Sequence, residues 1–547
     1  MSKSAMVRVG RAIEVAAGVF APGHLGELTQ YLPFELVDAV LEDTGTVQQR
    51  VRDLPSRVGV YFVLALGLFP KLGYRKVFGK LTAGLPAGLW VRPSEKALRD
   101  LRRRVGAAPF KALFEVVAGP LARPDTPGVC YRRWRTVAFD GCSSMQTPDS
   151  VRIRGWLGKI RYWQGWAGYP HLMLMVLCET GTRGLLGAVF GPADADERDW
   201  ATRLLPLLDA RMLVLCDRGF DSDDFAAGLA GTGAQFLIRA TAARNPPVLA
   251  RLPDGSYLSR LGSLQVRIID VDVVVTLVDG SRNAERYRLI TSLCDARTDP
   301  AAVLVRLYHE RWEVEVALHD IRQGLLDGHH LRSKDPVGIE QEMWALLCLY
   351  QLLRTAIVNA TDTVKRADPD RASFTCAIEA ARDQVVLAAA IVPTTGADGR
   401  LDLAGQIGRA VLADLNPPRR LRISARKVKS GRSRYASLPP GKWRPATSTP
   451  ITGIAIAVHE PAPPPNPPAG IWQPATSPTT GNPSSRTERR DQVLAFLHAN
   501  PGRAWPARHI AHHLGITERL NSFCVQLSEW AAQGHFTKTA PATYTTT

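Results

Sequence analysis

Paired cysteines and long apolar runs are both missing from this 547-residue sequence. Its eight cysteines are scattered and form no C-x2-C pair, which argues against a disulfide framework or a zinc ribbon. The longest apolar run, residues 58–69, is too short to cross a bilayer, and the first residues lack the charged-then-apolar pattern of a signal peptide. We therefore expect a cytoplasmic chain without a membrane role.

Acidic residues are scarce relative to basic ones. The chain has 51 Asp and Glu against 68 Lys and Arg, which gives a formal net charge of +17. Such an excess favours a polyanionic partner, and nucleic acid is the first candidate. The length allows three or four domains and a sizeable core.

One charged segment within an apolar pattern stands out between residues 299 and 326. Asp299 before a proline is a helix-start signal, and Tyr308, Arg311, Glu315 and Arg322 then follow at spacings that place them on one helix face. A carboxylate is thus expected among cationic and phenolic side chains. The same pattern alone is typical of an ordinary amphipathic helix with solvated charges. The apolar residues that predict its buried stripe are Val303, Leu307, Val314, Leu318, Ile321 and Leu325.

Upstream of this helix, two aspartates follow short β-rich runs. Asp140 ends the run from Thr136, and Asp217 follows the apolar stretch 212–216. An aspartate in such a place is most often a turn or cap residue. The runs around them predict three strands, a helix, a strand, a helix and a strand, which is the order of a ribonuclease-H-like core. The expected strands are 136–141, 172–177, 184–190, 212–216 and 236–239, with helices at 197–208 and 222–229.

A strand-rich stretch separates this core from the charged helix. Asp254-Gly255 and Asp279-Gly280 predict turns. Between them, the alternation of apolar residues places Val266 and Ile268 on one face. It then shifts phase, so that Val271 joins that face, which predicts a bulge or bend. We interpret residues 241–296 as a β-rich insertion.

The spacing of the charged helix resembles the Y-x2-R-x3-E-x6-K signature of DDE transposases of the "insertion sequence four" family. Tyr308, Arg311 and Glu315 match, and Arg322 stands where lysine is usual. The segment 140–142, Asp-Gly-Cys, is similar to the family's first acidic motif with cysteine in place of threonine, and 217–220 is similar to the second. The order P-x-E-L-V-D at 33–38 is similar to the family's N-terminal domain.

The resemblance implies metal-dependent DNA cleavage followed by strand transfer. Clustered carboxylates bind hard divalent ions, so Asp140, Asp217 and Glu315 would hold two Mg2+, which Mn2+ could replace. Tyr308, Arg311 and Arg322 would contact DNA phosphates. The implied partners are double-stranded DNA of terminal inverted repeats and of the target, bound by a homodimer.

Outside the core, composition predicts three further parts. Residues 25–81 form helices surrounded by cations, for which contact with DNA and a solvated face are equally plausible interpretations. Residues 417–443 are strongly basic, and 447–485 have linker composition. Three predicted helices and a possible hairpin after residue 487 indicate a winged-helix-like arrangement.

The predicted fold is α/β, a ribonuclease-H-like mixed sheet with a β-strand insertion, a helical N-terminal domain and a C-terminal winged-helix-like domain. Two other functions stay open: a structure-selective nuclease, and a retired transposase that regulates through DNA binding. The predicted domains are a helical DNA-binding domain (1–110), the first part of the catalytic core (130–240), the β-rich insertion (241–296), the remainder of the core with following helices (297–415), a basic arm with a Pro-rich linker (416–486) and the winged-helix-like domain (487–547).

Overall fold

The structure is a computed structural model that divides into two compact units, residues 1–462 and 463–547. Each unit is described separately below. The residues described are 23–50, 54–85, 92–162, 165–241, 243–391, 402–418, 451–461, 486–499, 504–514, 516, 520–540 and 543–545.

Five helices make up the N-terminal region of the first unit. They are α1 (Phe34–Asp43), α2 (Ser56–Leu68), α3 (Tyr74–Leu81), α4 (Glu95–Val105) and α5 (Ala108–Val117). α2 is apolar nearly all round and almost wholly buried, as predicted for a core helix. It packs against a long later helix, and both contribute to one hydrophobic core. The N-terminal helices are therefore continuous with the main unit.

Two cations of the N-terminal helices, for which sequence left DNA contact and a solvated face open, pair with acids of the protein. Arg57 pairs with Asp38, and Arg102 is buried with its Nη2 2.9 Å from Glu342 Oε1. These arginines hold helices to each other, which a sequence pattern of like charges does not reveal. Exposed cations of this region include Arg50, Lys71, Arg75, Lys76, Lys96, Arg99 and Arg103.

A mixed sheet of eleven strands dominates the first unit. Its central order is β6-β5-β2-β7-β8-β12-β11-β10-β9, with β1 beside β2 and β13 beside β11. β2 pairs in parallel with β7, and β7 with β8, while the other pairs are antiparallel. The strands are β1 (Cys130–Tyr131), β2 (Trp134–Gln146), β5 (His171–Glu179), β6 (Leu185–Pro192), β7 (Met212–Cys216), β8 (Gln235–Arg239), β9 (Ala250–Arg251), β10 (Tyr257–Leu261), β11 (Leu264–Leu277), β12 (Arg282–Thr291) and β13 (Ile451–His459). A separate two-stranded hairpin joins β3 (Arg161–Tyr162) to β4 (Gly165–Trp166).

Helices cover both faces of this sheet, so the first unit has an α/β fold with a large mixed sheet. α7 (Glu197–Thr202) and α8 (Asp223–Gly231) pack on one face. The predicted order of three strands, helix, strand, helix and strand is present in the main sheet from β2 to β8, but a further helix, Val151–Leu157, and the β3–β4 hairpin intervene between β2 and β5. The remaining helices of the unit are α6 (Val151–Leu157), α9 (Ala301–Tyr308), α10 (Trp312–His319), α11 (Pro336–Asp362), α12 (Phe374–Leu387) and α13 (Gly405–Ala413).

The predicted charged helix is a run of four helical pieces. A 3-10 turn, His309–Arg311, joins α9 to α10, and a π-helical segment, Asp320–Leu325, follows α10. Val303 of the predicted buried stripe is 43% exposed, whereas Val314 and Ile321 are buried. The change of helical pitch explains why one regular stripe does not persist along the whole run.

The start of α9 also differs from the prediction. Asp299 accepts hydrogen bonds from Tyr131 Oη (2.8 Å) and Arg132 Nη1 (3.0 Å) rather than capping the helix. The Ala301 N–H instead donates to Asp254 Oδ2 at 2.8 Å. The helix terminus is therefore capped from a turn of the β-rich stretch, a long-range contact that local sequence does not show.

The β-rich stretch extends the main sheet, because β12 pairs with β8. The predicted turns at Gly255 and Gly280 are present, and both glycines have positive φ. The predicted bulge is wrong for the pairing of β11 with β12, whose register is continuous from 267 to 276. Val266 and Ile268 enter one hydrophobic core, and Val271 enters the core on the opposite face. The apparent phase shift therefore marks the point along β11 at which the buried side chains change from one face of the sheet to the other.

β13 lies where linker composition predicts an unstructured segment. Ile451–His459 pairs antiparallel with β11, from Asp270 opposite His459 to Leu277 opposite Ile451. The prediction of a continuous linker from 447 to 485 is wrong over this strand. The strand has few β-branched and apolar residues, and Pro, Thr and Ser flank it. Composition averaged over residues 447–485 therefore does not reveal it. The predicted basic arm lies almost entirely outside the described residues.

In its described residues, the second unit has three helices and a small three-stranded sheet. Its helices are α14 (Arg486–His498), α15 (Ala507–His513) and α16 (Leu520–Ala532), and its strands are β14 (Trp505–Pro506), β15 (Thr537–Ala540) and β16 (Thr543–Thr545). Their sheet order is β14-β16-β15. The predicted helices and hairpin are present in the expected order, and they surround a core that includes Ile510, Leu527, Trp530 and Phe536.

Candidate active site

Two of the predicted acids lie on neighbouring parallel strands, Asp217 directly after β7 and Asp140 within β2, which continues past the predicted strand end to Gln146. Ala138 of β2 lies opposite Leu215 of β7, and Asp140 and Asp217 each follow two residues later. The register therefore brings both carboxylates to the same level of the sheet. Asp217 also caps the short 3-10 turn after β7, since its Oδ1 accepts the Gly219 N–H at 2.7 Å. Asp217 is therefore the cap residue that its sequence position suggested, and it also lies at the level of Asp140.

Glu315 approaches these strands from α10, which packs on β2 and β5. Its carboxylate accepts from Arg311 Nη2 at 2.7 Å. Burial raises the pKa of Asp140 to about 7, with Arg311 opposing that shift and Glu315 and Asp217 adding to it. The three acids therefore belong to one electrostatic neighbourhood, arranged around the Arg311 guanidinium.

Arg311 and Tyr308 are buried, unlike side chains that contact DNA only from the protein surface. Arg311 is 7% exposed, and within the described residues its buried Nη1 has no hydrogen-bond partner. Tyr308 is 6% exposed, and burial raises the pKa of its phenol, which stays protonated at neutral pH. Its ring lies 6.0 Å from that of Tyr287. Tyr308 therefore packs the signature segment (residues 308–322) against β12.

Arg322 lies farther along the signature segment, on its π-helical part. Its Nη1 donates to Ser144 Oγ on β2, four residues beyond Asp140. In the part of the chain that is described, its buried Nε has no partner. The side chain is half-buried, so Arg322 is neither solvated like an ordinary helix cation nor fully engaged.

Behind Glu315, buried charges fix the signature segment from its inner side. Arg183 donates to Glu313 Oε2 at 2.6 Å from its Nε, and its Nη2 donates to Asp370. A second buried pair joins Arg354 of α11 to Asp320. Because buried ion pairs are costly unless their geometry is good, these contacts specify one position for α10.

A fourth carboxylate near the acids was not singled out from sequence. Glu197 begins α7, and a Cβ added at Gly141 would lie 3.2 Å from its Oε1, while one added at Gly219 would lie 3.7 Å from its Oε2. Burial and the neighbouring Asp217 raise the pKa of Glu197. Its only sequence signal was a glycine directly after Asp140 and another two residues after Asp217, which leave room for a facing side chain.

The donor chemistry of these carboxylates fits a hard divalent cation. The glycines at 141 and 219 keep open the space that a Cβ would fill beside Glu197. Among the described residues, no three Asp, Glu, His or Cys side chains stand close enough together to hold a metal ion as they are placed. Glu315 is occupied by Arg311, so it would have to exchange that partner before it could join a cation site.

Comparison with known families decides what this arrangement belongs to. Residues 22–115 match the description "Insertion element 4 transposase N-terminal", and residues 143–352 match "Transposase DDE domain". The chain belongs to the insertion element 4 family of DDE transposases. It acts in cut-and-paste transposition, as the signature segment predicts.

Two sequence relatives agree with this family assignment. The transposase InsG of insertion sequence element IS4 from Escherichia coli (strain K12) is 28% identical over 359 residues, which are 64% of this transposase and 80% of InsG. A second protein of that strain, InsZ, is 26% identical over 196 residues, or 36% of this chain and 64% of InsZ. A piggyBac transposase synaptic complex with hairpin DNA matches at 9% identity with a TM-score of 0.33, covering 68% of this chain and 86% of that one.

The family match does not cover the candidate site evenly. Asp217, Glu315, Arg311 and Arg322 lie inside residues 143–352, whereas Asp140 lies three residues before that match begins. The case for Asp140 therefore rests on the register of β2 with β7 and on its electrostatic coupling to the other two acids.

Proposed function

We propose that this transposase cleaves the ends of its element and joins them to target DNA with Asp140, Asp217 and Glu315 as the catalytic acids. The observation that carries the proposal is the equal level of Asp140 and Asp217 on adjacent parallel strands, facing Glu315 on α10. DDE transposases in general use divalent metal catalysis. We take Mg2+ as the ion, with Mn2+ as a substitute, since both favour carboxylate oxygens.

Asp140, Asp217 and Glu315 would hold the cations, and Glu197 is placed to contribute a fourth carboxylate. When bound, such ions activate water or a 3′-hydroxyl and stabilise charge on the leaving oxygen. Asp140 gives up its proton before its oxygens can bind a cation, because burial raises its pKa to about 7. Arg311 neutralises the carboxylates until then, through its bond to Glu315.

Arg311 and Arg322 are the candidate phosphate contacts. Each has a buried guanidinium nitrogen that lacks a partner among the described residues. An unpaired buried donor is costly, and a DNA phosphate would satisfy it. A phosphate near Arg311 would also compete with Glu315 for the guanidinium, which would free the carboxylate for a cation.

Other parts of the chain would hold DNA away from the acids. We propose that exposed Arg75 and Lys76 of α3 contact the terminal inverted repeats or the target, and that residues 487–547 form a winged-helix DNA module. The complex would be a homodimer that brings two DNA ends together, acting on cytoplasmic DNA of a bacterial cell.

The test compares Asp140→Ala, Asp217→Ala and Glu315→Ala with the wild type on a duplex that carries the element's own terminal repeat. We expect each variant to lose Mg2+-dependent cleavage by at least about 1,000-fold and to keep its affinity for the duplex, because phosphate contacts dominate affinity. Asp209→Ala is the matched control, since Asp209 lies at the other end of β7 in an exposed pair with Arg211.

A second readout separates cation binding from cleavage. Mn2+ binding, followed by paramagnetic relaxation of water, should weaken in each of the three variants and, to a smaller degree, in Glu197→Gln. Full cleavage by any one alanine variant would remove that residue from the site. Specific binding without cleavage by the wild type, with no detectable Mn2+ site, would instead favour a retired transposase that regulates through DNA.

A further inference from the structure

Residues 147–170 connect β2 to β5, and the structure describes all of them except 163 and 164. We call them the basic-aromatic segment. They carry four cations and five aromatic residues against a single acid, Asp149. Interleaved cations and aromatics are typical of nucleic-acid surfaces, where cations contact phosphates and rings pack against nucleotides.

The segment is anchored at both ends rather than hanging free. Its ends close on each other where the Thr147 N–H donates to Pro170 O at 3.1 Å. It is also tied to the chain just after the signature segment, since Ser150 Oγ donates to Lys334 O at 2.8 Å and the Tyr169 ring lies 5.3 Å from that of His330. Side chains on it are therefore held at a defined distance from the acids.

That distance can be read along β2. Gln146, the last residue of β2, lies six positions after Asp140, and the path is somewhat shorter than the about 20 Å of a straight strand because the pairing of β2 with β5 is irregular between Cys142 and Met145. The signature segment follows the same direction, because Arg311 lies beside the acids and Arg322 bonds Ser144. A duplex along this line would reach the basic-aromatic segment about six base pairs from the scissile bond.

Trp166, at the end of the β3–β4 hairpin, is the most exposed aromatic side chain among those of the segment whose burial is described. It is 64% exposed, and the Arg161 guanidinium lies 5.7 Å from its ring centroid. Asp149 already pairs with Arg154 (2.9 Å) and Lys159 (3.0 Å). Within the described residues, exposed Arg152 and Arg161 form no ion pair, so positive charge surrounds an exposed ring.

We propose that the basic-aromatic segment is a second DNA-contact site for the element's end, in which Trp166 packs against a nucleotide and Arg152 and Arg161 contact phosphates. The inference rests on the proposed function for the DNA end seated at the acids. A flat exposed ring beside uncompensated cations complements a nucleotide with its phosphate. A second copy of this chain would be the other occupant of such a surface, and the experiment distinguishes the two.

The experiment measures binding of the full chain to terminal-repeat duplex in EDTA, which prevents cleavage. Trp166→Ala is expected to lower affinity by about five- to 150-fold, and Trp166→Phe to retain most of it. Arg161→Ala should reduce the dependence of log affinity on log salt by about 0.9. Arg211→Ala is the matched control, because this exposed arginine precedes β7, at the edge of the sheet opposite to Asp217.

Position is tested with hydroxyl-radical footprints and with 2-aminopurine placed singly along the duplex. Protection and fluorescence change are expected five to seven base pairs from the cleavage site, and both should disappear in Trp166→Ala. Wild-type binding and cleavage that Trp166→Ala and Arg161→Ala leave unchanged would overturn this inference alone. If Trp166→Ala and Arg161→Ala bind DNA like the wild type but no longer form a dimer by light scattering, the surface would be assigned to a second copy. Failure of the wild type to recognise or cut its repeat would overturn the proposed function itself.

Discussion

At the residue scale, Asp140 combines a buried carboxyl with two like-charged neighbours. Its pKa of about 7 lies above the value near 3.9 of an unfolded chain, mainly because of burial. Folding thus favours the protonated form, so the stabilisation is complete below about pH 4 and is lost as pH rises to about 7. In the absence of metal, we expect Asp140→Asn to be more stable than the wild type by about 4 kcal/mol at pH 8, since a shift of about three pKa units corresponds to about 1.4 kcal/mol per unit.

Urea unfolding at several pH values in EDTA checks this expectation. The difference between Asp140→Asn and the wild type should be near zero at pH 4, grow with pH and level off above about pH 7. Asp209→Asn serves as the control, since its carboxylate is in an exposed pair. Added Mg2+ should stabilise the wild type at pH 8 more than the variant. Equal stabilities at every pH would show that the Asp140 carboxyl is solvated.

Arg322 offers a second prediction at this scale. Its position at the end of the signature allows Arg322→Lys, the family's usual residue, to keep the phosphate contact, whereas Arg322→Ala loses it. We expect the alanine variant to bind end DNA more weakly, with a salt slope lower by about 0.9, and to cleave more slowly because the phosphate loses its alignment. A salt titration of both variants tests this. An unchanged slope in the alanine variant would mean that Ser144 alone accounts for Arg322.

The spacing of residues along the sequence was enough to predict part of this site. The intervals among Tyr308, Arg311 and Glu315 predicted one helix face, and Arg311 does bond Glu315. Sequence could not show that Tyr308 is buried against β12, nor that Glu197 lies beside the glycines that follow the other acids. Both facts depend on how separate elements pack, which local patterns do not encode.

At the scale of the element, the signature segment is held by charges on the side away from the acids. Arg183 bridges Glu313 and Asp370 in the core. Arg183→Ala would remove the buried cation that Glu313 and Asp370 share, so we expect a loss of about 3–5 kcal/mol in the free energy of unfolding. Urea unfolding measures this loss. Arg198→Ala breaks an exposed pair with Asp196 and should change stability by less than about 1 kcal/mol.

The partial variant Arg183→Lys keeps the charge but not the forked geometry, so its stability should lie between those of the wild type and Arg183→Ala. Its cleavage rate should fall more than its end-DNA affinity, because Glu313 is two residues from Glu315 and a shift of α10 moves the catalytic carboxylate. Loss of affinity with an unchanged cleavage rate would contradict a positioning role.

Elements differed in how well sequence predicted them. β5 to β8 were predicted because each is a short apolar run, whereas β2 was predicted only over 136–141 and extends from Trp134 to Gln146, through Ser143 and Ser144. β13 was missed since its partner, β11, lies about 180 residues earlier in the chain, and nothing local indicates that pairing. The change of covered face along β11 was mistaken for a bulge for the same reason: tertiary packing decides which alternation is buried.

At the scale of the whole molecule, β13 belongs to the first unit although it follows the predicted basic arm. It covers one edge of β11, and Ile454, Ile456 and Val458 pack against the main hydrophobic core. α9, which precedes the signature segment, also packs on it. The stability of the catalytic unit should therefore depend on residues that composition assigns to a linker.

Two truncations that both remove the second unit test this dependence. A chain ending at Ala462 keeps β13, whereas a chain ending at Pro450 lacks it. We expect the longer chain to unfold within a few degrees of the temperature at which the first unit unfolds in the full-length protein, because the division between the units falls after Ala462. The shorter chain should be less stable by about 2–5 kcal/mol, since three apolar side chains lose their contacts.

The shorter chain should also self-associate, because removing β13 exposes unpaired backbone groups along β11 over most of its length. Thermal unfolding and light scattering of the two chains, at equal concentration, distinguish the outcomes. Replacing Ile454 and Ile456 by Thr in the chain that ends at Ala462 keeps the strand but weakens its apolar face, so it should give an intermediate loss of stability without association. Equal unfolding temperatures and a monomeric shorter chain would mean that β13 merely lies against β11, and that the catalytic unit is complete before residue 451.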